Sequence, residues 1–194
     1  MKRMLLLLLL LSLSCSAGAL EIAGVKVPEK VQAGDKPLVL NGAGSRFMGG
    51  MLDVYVIALY LQESKHSVAE VLDGKQIKNV TIWFLTPLGI KVTREQLLDA
   101  THKLMSENIG ADELQKLEPS WKQFSAFFDG IKEFKKEDKL SVDFLPVQGM
   151  RVEMNGKEIG HLSDTAFMRA FLKVWLGDHP VQDDLKKYLL GATR

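Results

Sequence analysis

Val54 to Leu61 (Val-Tyr-Val-Ile-Ala-Leu-Tyr-Leu) is an unbroken apolar and aromatic run, as expected of a strand covered on both faces. Its neighbours carry strand signals of their own. Leu20 to Pro37 places turn formers (Gly24, Pro28, Gly34-Asp35) around short Val-containing pieces, which predicts a leading hairpin or edge strand. Leu38 to Phe47 reads as a strand and Gly49-Gly50 as a turn. Ile77 to Leu85 reads as a third strand, ended by Pro87.

The apolar period then becomes helical. Thr93 and Gln96 form a capping-box pair, and Leu97, Leu98, Leu104 and Met105 make a stripe closed by Gly110. Leu114, Leu117, Trp121, Phe124, Phe128 and Ile131 follow at spacings of three and four. They form one apolar face across a helix, or across a helix pair broken at Pro119. The charged run Lys132 to Lys139 predicts a solvated connection. Leu140, Val142 and Phe144 alternate as a strand does, and Asn155-Gly156 is a hairpin signal whose two-residue turn places Val152 opposite Ile159. Ser163 or Asp164 then caps a helix through Leu176. Its Phe167, Met168, Phe171, Leu172, Val174 and Trp175 cover most of the circumference, so it must be largely buried. Gly177 ends it, Pro180 prevents its resumption, and Val181 to Leu190 suit a last short helix. Strand clusters separated from helix clusters imply an antiparallel sheet with helices on one side, the α+β class.

The N-terminus follows another grammar. Lys2 and Arg3 precede the apolar run Met4 to Leu11, and a small polar stretch ends in Ala17-Gly18-Ala19. These are the parts of a secretory signal, and the run is far short of the roughly 20 residues a spanning helix needs. Residues 1–19 are expected to be cleaved, leaving residues 20–194 as a single domain exported to the periplasm, with no transmembrane segment and as a monomer. Cys15, the only cysteine, falls in the removed segment, so the mature chain has no disulfide and no Cys-held metal. The alternative, a lipoprotein anchored through Cys15, is poorly served by Ser12-Leu13-Ser14, because an aliphatic residue belongs three positions before the cysteine.

Composition narrows the function. The 194 residues are 46% hydrophobic and 25% charged, with a net charge of +1. Removing Lys2 and Arg3 leaves 23 basic against 24 acidic residues. Such a balance lacks the basic footprint of a nucleic-acid binder, so no nucleic-acid partner is expected. His66, His102, His161 and His179 are scattered without ligand spacing, and no Gly-x-Ser-x-Gly elbow occurs. Gly42-Ala43-Gly44 lacks the third glycine and following helix of a dinucleotide loop, and reads as a kinked or closely approached strand. No metal or cofactor is expected.

Arg46 stands out, one of six arginines against 19 lysines, in an apolar neighbourhood. If Gly49-Gly50 is a two-residue hairpin loop, Met48 pairs with Met51, Phe47 with Leu52 and Arg46 with Asp53. Alternation puts Asp53 and Tyr55 on one sheet face, so Arg46, Asp53 and Tyr55 cluster, while Tyr60 faces the other way. Two readings stay open. One is a structural Arg46–Asp53 ion pair with Tyr55 packed alongside. The other is an anion hook at the mouth of an apolar pocket, the guanidinium offering a planar fork and the phenol a further donor.

The runs Leu40-Asn41-Gly42-Ala43-Gly44-Ser45-Arg46 and Val54 to Leu61, with the ending Phe167 to Gly177 and Asp178-His179-Pro180, resemble the chalcone isomerase-like family, in particular its exported bacterial branch. The resemblance spans most of Leu38 to Gly191. It implies an open-faced β-sandwich: a large antiparallel sheet, a helical layer over it, and a cleft between. Chalcone isomerases close a flavanone ring without a cofactor, and their arginine matches Arg46, which would steady oxyanion charge. Their sheet threonine falls at Tyr55. Their tyrosine and asparagine should lie within Leu85 to Asp99, which contains neither, and the last-helix hydroxyl falls at Ser163 or Thr165. The fatty-acid-binding branch holds a carboxylate with an arginine and a tyrosine, which match Arg46 and Tyr55. The resemblance thus implies a non-catalytic pocket for a fatty acid or similar amphipathic carboxylate, lined by Arg46, Tyr55, Ser163 and Thr165. The alternatives are a cofactor-independent isomerase acting on an enolisable carbonyl through Arg46, and a structural or partner-binding envelope protein.

Overall fold

The computed structural model of the chain describes residues 20–49, 52–73, 75–87 and 90–193. The proposed leader, Cys15 included, and Met51 of the expected hairpin pair lie outside the described residues. The chain opens on a small hairpin, β1 (Leu20–Ile22) and β2 (Val25–Val27). Next come β3 (Lys30–Ala33), β4 (Lys36–Met48) and β5 (Leu52–Leu61), then the one-turn helix α1 (Val68–Leu72) capped by Ser67. After β6 (Lys78–Phe84) and the short β7 (Val92–Thr93) run two helices, α2 (Arg94–Asn108) and α3 (Ala111–Ala126). The short β8 (Glu133–Phe134) leads into β9 (Lys139–Leu145), β10 (Gly149–Met154) and β11 (Lys157–Leu162). Helices α4 (Thr165–Leu176) and α5 (Asp183–Leu189) close the chain.

Seven strands form one antiparallel sheet in the order β11-β10-β9-β6-β5-β4-β3. The fold is α+β, as the segregated strand and helix patterns require. In β5, Ile57, Leu59 and Leu61 join Phe124, Phe167, Phe171 and Trp175 in the core between sheet and helices. Val56, Ala58 and Tyr60 turn to the other face, where Ile22 and Val27 of the leading hairpin cover them. From Val56 to Leu61 the apolar run is therefore buried on both sides, and Tyr60 donates from the far face to the Pro28 carbonyl at 3.0 Å.

Local signals fare unevenly. The Thr93–Gln96 capping box forms and starts α2. Asp164 caps α4 by accepting from the Ala166 and Phe167 amides, and Ser163 is left outside the helix. Pro119 does not break α3: a helix packed along its length tolerates one proline, which leaves the Gln115 carbonyl without its usual helical donor. The charged run is not only a connection, for Phe134 within it is buried and stacks on Phe84 with ring centres 4.3 Å apart. The Asn155-Gly156 turn joins Met154 to Lys157 as a two-residue loop, but a bulge after Val152 sets that residue opposite Gly160 instead of Ile159. Gly160 is where the Phe127 ring lies, with no room for a Cβ.

Bulges also decide how β4 presents its residues. One falls between Leu40 and Gly42. There the Asn41 amide donates to Lys65 O at 2.9 Å and Leu189 O at 2.7 Å, tying α5 to the segment between β5 and α1. Past it, Gly42 and Gly44 lie under α5, and a Cβ on Gly44 would stand 2.6 Å from Leu185 Cδ1. The Gly-Ala-Gly run is a strand closely approached by a helix.

Candidate functional site: a cavity between sheet and helices

A second β4 irregularity, between Arg46 and Phe47, resets the hairpin register. Arg46 stands opposite Tyr55, Phe47 opposite Asp53, and Met48 opposite Leu52. The expected pairing of Arg46 with Asp53 is corrected by two residues, because three residues separate Met48 from Leu52 instead of two and the bulge adds a further offset. A shift of two preserves the face. Arg46 and Tyr55 therefore still meet, and both line one cavity of about 350 Å³ between the sheet, α2 and the end of α4. Among the described residues, no ion pair joins Arg46 to Asp53, and Asp53 does not line the cavity.

The cavity walls are mainly apolar. Ile82 of β6, Leu97, Ala100 and Leu104 of α2, and Val174 of α4 face inward. At about 10–15 Å³ per water-sized position, the space holds roughly 25 or more non-hydrogen atoms. It falls within the roughly 300–1,000 Å³ span of small-molecule sites.

Two contacts prepare the polar end. The Trp175 indole N–H donates to the Tyr55 hydroxyl oxygen at 3.1 Å. With its oxygen accepting there, the phenol has its own hydrogen left to give. Burial holds the Tyr55 hydroxyl above the ordinary phenol range, opposed by the Trp175 bond and by the nearby Arg46 charge, so it stays a donor at neutral pH. Arg46 Nη1 donates to the Phe47 carbonyl and to Gln182 Oε1 at 3.3 Å. Gln182, the residue preceding α5, also accepts from the Phe47 amide at 3.3 Å and donates to Ser45 O at 3.4 Å. A guanidinium carries five donors, so Arg46 is oriented by these bonds and not exhausted by them. Lys91 lines the rim and pairs with Glu133 at 3.2 Å.

Ser163 and Thr165 lie elsewhere. Both sit at the start of α4, whereas the cavity is lined by Val174 and Trp175 near its end. Ser163 Oγ donates to Gln148 O at 3.2 Å, and Thr165 lines a separate, smaller pocket. Sequence reasoning missed Trp175 and Gln182 as site residues. Trp175 was visible as part of a helix apolar all round, but nothing local marked its indole N–H for Tyr55. Among the described residues, no group of three or more His, Cys, Asp or Glu is placed to hold a metal ion, and no helix is long and apolar enough to cross a membrane.

Residues 19–191 match the chalcone isomerase-like family model. The chain belongs to the chalcone isomerase-like family. Among solved structures, this chalcone isomerase-like chain is similar to a fatty-acid binding protein of Arabidopsis thaliana, with a TM-score of 0.66 and 13% identity, over 86% of this chain and 92% of that one. At that identity the likeness establishes the shared fold. No curated protein sequence matches the chain.

Proposed function

We propose that this chalcone isomerase-like protein is an exported, non-catalytic carrier of a fatty acid or a similar amphipathic carboxylate. The observation that carries the reading is the polar end of an otherwise apolar cavity, where Arg46, free of a carboxylate partner among the described residues, stands opposite a neutral Tyr55 hydroxyl. A guanidinium fork and a phenol donor suit the two oxygens of one carboxylate. The charge-assisted bond contributes roughly 1.5–3 kcal/mol, and each buried methylene about 0.8 kcal/mol. The tail therefore supplies most of the affinity and the hook fixes which end enters. The Arabidopsis thaliana structural neighbour is a fatty-acid binding protein, which supports the same use of this cleft. Export rests on Lys2-Arg3, the apolar run after them and Ala17-Gly18-Ala19.

One preparation tests both parts. The full chain is produced in a Gram-negative host, recovered from the periplasm, and analysed by intact mass and by mass spectrometry of extracted ligands. The expected result is a chain beginning at Leu20 with bound fatty acids. Arg46→Ala should weaken fatty-acid binding about 10- to 150-fold, the equivalent of the lost charge-assisted bond. Equal retention by Arg46→Ala would remove the hook, and bound phenolics in place of fatty acids would favour an isomerase.

A further inference from the structure

At the other end of the sheet–helix interface, β6 begins with a buried lysine. Lys78 is 3% exposed and lies on the same sheet face as Val80, Ile82 and Phe84, which pack into the helix-side core. Its ammonium donates to Gln76 O at 3.0 Å, one of three available donors. The Arg169 guanidinium is near enough to repel it, and Asp73 is the opposing negative charge. Among the described residues, Arg169 has no ion pair. Both cations line a small, partly open pocket of about 60 Å³ with Thr165, whose hydroxyl has no hydrogen bond among the described residues, and with Gln76, Phe144 and Met168. Burying an ammonium with one bond is costly unless a counter-charge joins it. Burial holds the Lys78 ammonium below the ordinary lysine range, Asp73 opposes this, and Arg169 adds to it.

We propose that this pocket is a second, independent site, which takes a short monocarboxylate between Lys78 and Arg169. Its size sets the ligand: at about 10–15 Å³ per water-sized position it holds roughly four to six non-hydrogen atoms, the count of acetate to butyrate. Its charge sets the valence: Lys78 and Arg169 against Asp73 leave one positive charge in excess, which a monoanion matches. Its walls set the class, since Phe144, Met168 and Leu172 receive a short alkyl group, and the neutral polar side chains beside the two cations are only Gln76 and Thr165. The Thr165 hydroxyl supplies a neutral donor.

The test uses the mature chain carrying Arg46→Ala, so that the larger cavity's hook is silent. Propionate or inorganic phosphate is titrated at constant ionic strength while the lysine side-chain carbon resonances are followed by NMR, with Lys78 assigned by its loss in Lys78→Met. Propionate should shift the Lys78 resonance saturably, and more tightly than phosphate. Arg169→Gln, a change on the exposed side of α4, should weaken the propionate response roughly tenfold or more. A Lys78 resonance unmoved by propionate, an unchanged response in Arg169→Gln, or tighter binding of phosphate would each overturn the assignment.

Discussion

Trp175, 120 positions away in sequence, donates to the Tyr55 oxygen, which orients the phenol and leaves its hydrogen to give to a bound carboxylate. Trp175→Phe keeps a ring in the wall and deletes the N–H. A neutral hydrogen bond contributes about 0.5–1.5 kcal/mol, so fatty-acid affinity should fall by roughly two- to tenfold as the phenol turns to find other partners. The effect acts through Tyr55. In a Tyr55→Phe background the same Trp175→Phe substitution should therefore add no further loss, which displacement of a fluorescent fatty acid from the four proteins would measure. Equal losses in both backgrounds would make Trp175 a plain wall residue. Arg46 and Tyr55 were legible in the sequence because they belong to one hairpin, where alternation alone brings them to one face. Gln182 was not, since it reaches Arg46 from 136 positions away and carries no pattern of its own. Ser163 and Thr165 show the limit of a loose match along a helix. At about 1.5 Å per residue, Thr165 lies roughly 15 Å from Trp175, at the opposite end of α4 from the cavity.

Among elements, the strand and helix runs were legible because their periods differ. Registers were not, because a bulge is set by what packs above the strand. The Asn41 bulge is the clearest case, since its reason is α5, which lies on Gly42 and Gly44 and is bonded through the Asn41 amide to Leu189 O. A methyl group at Gly42 would overlap the Tyr188 carbonyl oxygen, and backbone cannot move aside as a flexible side chain can. Gly42→Ala should therefore lift α5 and cost about 1–3 kcal/mol, the usual range for overpacking, read as a lower urea midpoint. Gln182 just before α5 orients Arg46, so the same variant should also bind fatty acid more weakly. Lost stability with intact affinity would show that α5 does not carry the hook's orientation.

At the scale of the whole molecule, the sheet carries a buried tyrosine on one face and a half-buried one on the other, and this gives its stability a direction with pH. Burial raises the pKa of Tyr60 on the side of the leading hairpin, and that of Tyr55 on the helix side despite the Trp175 and Arg46 contributions. In the unfolded chain both ionise near the ordinary phenol value of about 10. Above that pH the unfolded state therefore holds fewer protons than the folded one, and stability falls as pH rises. Lys78 has the opposite sign. Its folded pKa is lowered, chiefly by burial, so the unfolded state holds more protons between that value and the ordinary lysine range, and stability gains with pH there. Lysine and tyrosine contributions thus oppose each other on the approach to pH 10, and only the tyrosines keep acting beyond the lysine range. Urea unfolding from pH 8 to 11 should show a shallow profile that turns steeply downward at its alkaline end. Tyr60→Phe gives up the bond to Pro28 O and lowers stability at every pH, but it removes one of the two phenols held above the ordinary range and should flatten the alkaline limb. An alkaline slope identical to that of the unaltered chain would mean that Tyr60 ionises alike in both states, and that the hairpin over the far face does not seal it from water.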